Sequence, residues 1–170
     1  MVGPALVAVG IVATGALSRG GKTTGVAAGA SRPSGPAAAD AAGPEPPPHS
    51  IQKWSDAEAA AAKWMTYWGF VGAVQTPPGR DGGVDVVSAT AIAQVKDTTS
   101  KVGADVVQQL FGIATVERKA ALFFARSGYT SGAQAFAERA GVALFSYDDQ
   151  GRPQPENDRA RSIVPLGLAA

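Results

Sequence analysis

The sequence contains no cysteine and only one histidine, His49, which lies in a proline-rich stretch. Without cysteine the chain forms no disulfide and has no thiolate chemistry, and a single histidine excludes an ordinary zinc site. All the aromatic residues come after position 50, so the only histidine also precedes the part of the chain expected to fold. A Ser–His–Asp or Cys–His mechanism is therefore excluded. Any chemistry must use Asp, Glu, Lys and Tyr side chains.

An excess of one charge is also missing. From Ile51 onward, 12 Lys and Arg residues are matched by 12 Asp and Glu residues, and no basic run occurs. Charge alone therefore does not indicate nucleic-acid binding. At 170 residues without an internal repeat, the sequence predicts one compact domain with additional segments.

The N-terminal segment, residues 1–18, is apolar and carries no charge between Val2 and Leu17. It is slightly shorter than the roughly 18 apolar residues that indicate a membrane-spanning helix. The nearest cations, Arg19 and Lys22, follow the segment, whereas a secretory signal peptide has its cations first. This order argues against export, and if the segment spans a membrane it places the domain on the cytoplasmic face. The alternative is a disordered segment on a cytoplasmic protein.

Residues 19–50 are rich in Ala, Gly and Pro and predict a disordered linker.

Residues 51–150 are expected to form the domain, and residues 151–170 a C-terminal tail that is polar and peripheral apart from residues 163–168. A capping-box pattern from Ser55 to Glu58 predicts a helix that ends near Trp68. The later pattern predicts strands at Phe70–Gln75, Val84–Ser88 and Ala91–Lys96, a helix at Val102–Val116, a strand at Ala120–Ala125, a helix from Thr130 or Ser131 to Gly141, and a strand at Val142–Tyr147. The order α-β-β-β-α-β-α-β predicts a single α/β domain whose mixed sheet is flanked by helices.

Three polar residues lie on the second and third predicted strands. If a loop of two or four residues joins these strands, paired positions add up to 179 and Asp85 lies opposite Gln94. Lys96 then projects on the same face as Gln94, because side chains alternate along a strand. A loop of three residues would break this pairing. The prediction therefore depends on an even-numbered loop.

Each of these residues taken singly has an ordinary structural explanation, but together they suit phosphodiester hydrolysis. Asp85 interrupts an apolar strand, where a buried carboxylate must be paired or bind a cation. Asp85 and the Gln94 amide oxygen could hold Mg²⁺ or Mn²⁺, which acidifies water and neutralises charge on the phosphate. Lys96 could orient that water or stabilise the transition state.

The segment GRDGGVDVVSATAIAQVKD, which contains these residues, resembles the central motif of Mrr-type restriction endonucleases. These nucleases are a branch of the PD-(D/E)xK superfamily, and the resemblance extends from about Trp54 to Tyr147. It implies a restriction-endonuclease-like fold in which Asp85 binds the metal, Gln94 replaces the usual acidic residue and Lys96 is the motif lysine. It also implies that Glu58 supports the metal site, whereas the capping-box pattern gives Glu58 a structural role. Both readings of Glu58 stay open at this point.

The resulting functional prediction is a metal-dependent DNA endonuclease that acts in restriction or DNA repair. Arg80, Gln108 and Ser127 are candidate DNA contacts. A homodimer is a further expectation, because a small domain that cleaves specifically usually needs a partner. The alternative is a catalytically weak or inactive DNA-binding or regulatory domain on the same fold, tethered to a membrane.

Overall fold

The computed structural model describes residues 44–77 and 82–164. The predicted apolar segment 1–18, most of the linker 19–50 and the candidate DNA contact Arg80 lie outside the described residues. Across the two described ranges, no helix is both long enough and apolar enough to span a membrane.

The order of helices and strands confirms the predicted α/β fold with a mixed sheet and flanking helices. The first eight elements follow the predicted order, and a strand and a short helix come after them. The elements are α1 (Trp54–Tyr67), β1 (Val74–Gln75), β2 (Val86–Val87), β3 (Ala91–Lys96), α2 (Ala104–Glu117), β4 (Ala120–Ala125), α3 (Ser131–Ala140), β5 (Ala143–Tyr147), β6 (Pro153–Pro155) and α4 (Asp158–Arg161).

The six strands form one sheet in sequence order, from β1 to β6. The pairs β1–β2 and β2–β3 are antiparallel, β3–β4 and β4–β5 are parallel, and β6 returns antiparallel to β5. The helices α2 and α3 provide the crossovers between the parallel strands. The carboxyl ends of β3, β4 and β5 consequently lie at the same edge of the sheet.

Alternation along the central strands divides the core between the two faces of the sheet. On one face α1 packs its aromatic residues against the sheet, and Trp68 stacks with Phe124 and Phe145. The opposite face is covered by α2 and α3, and its core includes Ile92 and Phe123. Burial on both faces of the sheet accounts for the continuous apolar run of β4 and for the buried residues 91–95 of β3.

The N-terminus of α1 shows that the predicted capping box is wrong. The helix begins at Trp54, and Asp56 Oδ2 accepts hydrogen bonds from the backbone N–H groups of Gln52 and Lys53, both at 3.1 Å. Asp56 therefore satisfies the backbone around the helix start, two residues before Glu58. The side chain of Glu58 makes its contacts elsewhere.

The stretch after β5 is not peripheral, contrary to the sequence-based expectation. Asn157 is buried, and its Oδ1 accepts from the N–H groups of Leu144 at 3.1 Å and Ala160 at 3.0 Å. Its Nδ2 donates to the Val142 carbonyl at 2.8 Å. One asparagine thus fixes α4 to β5. Residues up to Val164 belong to the packed domain.

The folded domain also begins slightly earlier than predicted. The N–H group of His49 donates to the Gln150 carbonyl, and that of Ile51 donates to the Asp149 carbonyl, both at 2.9 Å. These bonds fix the chain before α1 to the turn between β5 and β6. The end of the predicted linker is therefore part of the ordered backbone.

Candidate active site

The hairpin of β2 and β3 has the even-numbered loop on which the predicted site depends. Val86 pairs with Ala93 and Val87 with Ile92, so paired positions add up to 179. The Ser88 N–H donates to the Ala91 carbonyl at 2.8 Å, which leaves two residues in the loop. The predicted register is confirmed for these residues.

At Asp85 the pairing departs from the straight register. Its N–H donates to the Ala93 carbonyl at 2.9 Å, although Ala93 is already paired with Val86. Asp85 and Val86 thus both lie opposite Ala93, and two residues opposite one is the pattern of a β-bulge. The Asp85 Oδ2 accepts the Val95 N–H at 2.7 Å. The carboxylate therefore lies against the backbone of β3, at the residue between Gln94 and Lys96, and does not simply face Gln94.

The surroundings of Asp85 have opposite effects on its charge. Burial raises the pKa of the Asp85 carboxyl, while the Val95 N–H and the positive charge of Lys96 lower it in part. The net direction is upward, so the folded protein disfavours the ionised form. Lys96 is close enough to act on this carboxylate electrostatically.

Glu58 extends from α1 towards the same site. It is buried, and its Oε2 accepts a hydrogen bond from Gln75 Nε2 at 3.2 Å. Burial raises the pKa of Glu58, the negative charge of Asp85 raises it further, and the bond from Gln75 opposes both effects. The two carboxylates therefore act on each other electrostatically. The electrostatic effect of Asp85 on Glu58 and the hydrogen bonds that Asp56 accepts at the helix start favour the site role of Glu58 over the capping role.

Gln75 is a residue of this site that the sequence did not single out. Its Nε2 donates to the Ser55 carbonyl at 3.1 Å as well as to Glu58. The only signal in the sequence is that Gln75 is the one polar residue of the segment FVGAVQ. It connects α1 to β1 and fixes the carboxylate of Glu58.

The amide of Gln94 is buried with one atom unpaired. The residue is 3% exposed, and Oε1 has no hydrogen-bond partner among the described residues. A buried acceptor without a partner costs about 1–3 kcal/mol. Gly83 permits this position, because a Cβ added there would lie 2.4 Å from Gln94 Nε2. The Gln94 amide oxygen is therefore an unpaired buried acceptor, the kind of atom that a bound cation could satisfy.

The remaining predicted residues do not join this group. Gln108 is exposed on α2, and Ser127, which follows β4, donates its hydroxyl to the Thr98 carbonyl. Over residues 44–77 and 82–164, no cluster of three or more His, Cys, Asp or Glu side chains could hold a metal ion. The candidate site thus combines two carboxylates, one neutral amide and one lysine.

Comparison with known proteins identifies the family. The family model described as a restriction endonuclease, that of the Mrr catalytic domain, matches residues 51–149, which is more than half of the chain. No curated protein and no solved structure matched. The matched range contains Glu58, Asp85, Gln94 and Lys96 and runs from α1 through β5. The chain therefore belongs to the Mrr-type restriction endonuclease family and contains a nuclease-type domain.

Proposed function

We propose that the protein is a metal-dependent DNA endonuclease that hydrolyses phosphodiester bonds in restriction or DNA repair. The observation that carries this proposal is the unpaired, buried Oε1 of Gln94 in the same hairpin as Asp85. Glu58 and Lys96 complete the group, because each interacts electrostatically with Asp85.

The available side chains suit a hard divalent cation. Mg²⁺ and Mn²⁺ prefer carboxylate and amide oxygens and retain several water ligands, so three protein oxygens are sufficient. Burial disfavours the charged forms of Glu58 and Asp85, and a cation would offset this effect by neutralising them. Because Gln94 adds an oxygen without charge, the two carboxylates alone would balance a divalent ion.

When bound, the ion would acidify a water molecule and neutralise charge on the phosphate. The protein residues would do the positioning. Asp85, fixed by the Val95 N–H, would present its second oxygen to the site, and Gln75 would orient Glu58. Lys96 would place an ammonium group beside the negative charge that develops on the phosphate in the transition state. Gln108 and Ser127 stay candidate contacts to the DNA.

Cleavage of plasmid DNA in Mg²⁺ or Mn²⁺ tests this proposal. We expect Asp85→Asn and Lys96→Ala to lower the cleavage rate by about 100-fold or more, the typical effect of removing a transition-state or metal-site group. The matched controls are Asp158→Asn and Lys63→Ala, which change an exposed carboxylate on α4 and an exposed lysine on α1. The controls should cleave at the wild-type rate.

Equal activity in Asp85→Asn and Asp158→Asn would contradict the site assignment. The neutral Gln94 in place of an acidic ligand, together with the balanced charge of the domain, favours a second candidate, a DNA-binding or regulatory domain with weak or no catalysis. Its signature would be wild-type protein that binds duplex DNA in an anisotropy titration but leaves plasmid uncut in either metal.

A further inference from the structure

The sheet edge that carries Lys96 also carries a charged network outside the proposed metal site. Arg126, the first residue after β4, forms ion pairs with Asp97 and Asp149. Its guanidinium carbon lies 5.5 Å from the centre of the Tyr147 ring. Asp97 directly follows Lys96 in the chain. The network therefore begins one residue beyond the motif lysine.

The backbone of Lys96 is bonded to residues of two parallel segments, the end of the adjacent strand β4 and the more distant strand β5. Its carbonyl accepts the Arg126 N–H at 3.0 Å and the Tyr147 hydroxyl at 3.3 Å. The preceding residue, Val95, donates its N–H to Asp85. Lys96 is consequently fixed by hydrogen bonds on both sides, by the metal-site aspartate before it and by Arg126 and Tyr147 after it.

This fixation occurs where the strand would otherwise be loose. Val95 is buried, Lys96 and Asp97 are half-buried, and Thr98 is exposed, so the chain passes from core to solvent within three residues. Strand ends next to solvent open readily, and a lysine side chain has a long, flexible stem. A displacement of about 1 Å in a reacting group can lower a rate about 100-fold. An ammonium group that acts on a phosphate therefore needs a fixed backbone.

We propose that Asp97, Arg126 and Tyr147 are positioning residues that hold the end of β3 and thereby place Lys96. Arg126 makes two contacts with the end of β3, because its backbone N–H donates to the Lys96 carbonyl and its guanidinium pairs with the Asp97 carboxylate. Tyr147 adds a hydroxyl from β5, and its ring supports the guanidinium. The catalytic consequence rests on the proposed function, whereas the anchoring of Lys96 does not.

Two pairs of variants separate anchoring from general stability. Asp97→Asn removes the charge on the β3 side of Arg126, and Asp149→Asn removes the matching charge on the side away from β3. Tyr147→Phe removes the hydroxyl that binds β3. Tyr129→Phe removes a more deeply buried hydroxyl, which donates to carbonyls on β4 and β5 only. Each test variant thus has a control with the same chemical change.

The first measurement is the NMR order parameter of the Lys96 Cε methylene group, together with hydrogen exchange at the backbone N–H of Arg126, which donates to the Lys96 carbonyl. We expect Asp97→Asn and Tyr147→Phe to lower the order parameter and to speed exchange about tenfold. Asp149→Asn and Tyr129→Phe should leave both at wild-type values. If Lys96 is equally ordered in Asp97→Asn and Asp149→Asn, the proposal is overturned, whether or not the protein cleaves DNA.

The second measurement is cleavage kinetics with thermal unfolding recorded beside it. The test variants should lose about tenfold or more in kcat with little change in KM for DNA, because Lys96 acts in the transition state. Tyr129→Phe should lose stability but keep kcat. A fall in kcat that follows stability across all four variants would contradict the positioning role. If the wild-type protein does not cleave DNA but Lys96 still loses order in the test variants, the proposed function is overturned and the anchoring of Lys96 stands.

Discussion

The contact between Gly83 and Gln94 gives the sharpest test of the metal site. Gly83 has a φ of +71°, and an added Cβ would lie 2.4 Å from Gln94 Nε2 and 3.4 Å from its Cδ. Gly83→Ala should therefore do two things. It should strain the backbone, and it should push the Gln94 amide away from the position in which its Oε1 is free.

The magnitude of each effect follows from a comparison with Gly72. Gly72 has a φ of +74°, but an added Cβ there would meet nothing within 4 Å. Gly72→Ala should cost only the backbone strain, about 1–2 kcal/mol for an L-residue in the left-handed region. Gly83→Ala should cost the same strain and about 1–3 kcal/mol more, the usual penalty for overpacking a buried site. The difference between the variants isolates the displacement of Gln94.

Urea unfolding and calorimetric titration with Mn²⁺ would measure the two consequences. We expect Gly83→Ala to unfold more easily than Gly72→Ala and to bind Mn²⁺ about 10–100-fold more weakly, as is typical when a residue that orients a ligand is changed. Gly72→Ala should bind the metal like wild type. Equal stability and equal Mn²⁺ affinity in the two variants would refute the reasoning.

Three further predictions concern charge, metal and the C-terminal stretch. Glu58→Gln should raise the free energy of unfolding of metal-free protein at neutral pH, since burial and Asp85 raise the pKa of Glu58. The gain should disappear as the pH falls below the ordinary value of 4.5, which urea unfolding across a pH series would show. Mn²⁺ at about 100 times its Kd should stabilise wild type by about 2.7 kcal/mol but should not stabilise Asp85→Asn. Thermal melts with and without Mn²⁺ measure this, and an equal rise in Tm in both proteins would contradict the prediction. Asn157→Ala should cost about 2–4 kcal/mol in urea unfolding because it leaves several buried groups unpaired, whereas exposed Ser162→Ala should change stability by less than about 0.5 kcal/mol.

The sequence predicts best the elements whose burial is continuous. The bounds of β3 and β4 were predicted as they are observed. Both are short, mostly apolar segments between polar or turn residues, and such segments are typical of buried strands. The hairpin register followed from the same logic, once an even loop was assumed. The first two strands are much shorter than predicted, since their neighbouring residues form turns and a bulge instead of ladder pairs.

Features that depend on particular hydrogen bonds were not predictable from the sequence. Asp56 and Glu58 are both acidic residues near the start of α1, and only the observed start at Trp54 decides which of them caps the helix. The bulge at Asp85 is likewise set by which N–H reaches the Ala93 carbonyl. Asn157 lies in a polar stretch that resembles a solvated one, and its burial depends on bonds to Leu144 and Val142, which come close to it only when the sheet forms.

The last strand of the sheet affects how copies of this protein can associate. The Glu156 N–H donates to the Leu144 carbonyl, and the Arg152 carbonyl accepts the Asp148 N–H. The even-numbered residues of this stretch therefore direct their backbone N–H and carbonyl groups towards β5. The outward positions of β6 are Pro153 and Pro155, which have no N–H group to donate. An incoming strand would find acceptors there but no donors, so β6 is a poor template for edge-to-edge aggregation. If the protein forms a homodimer, we expect the contact to use helices or loops instead of an extended sheet across this edge.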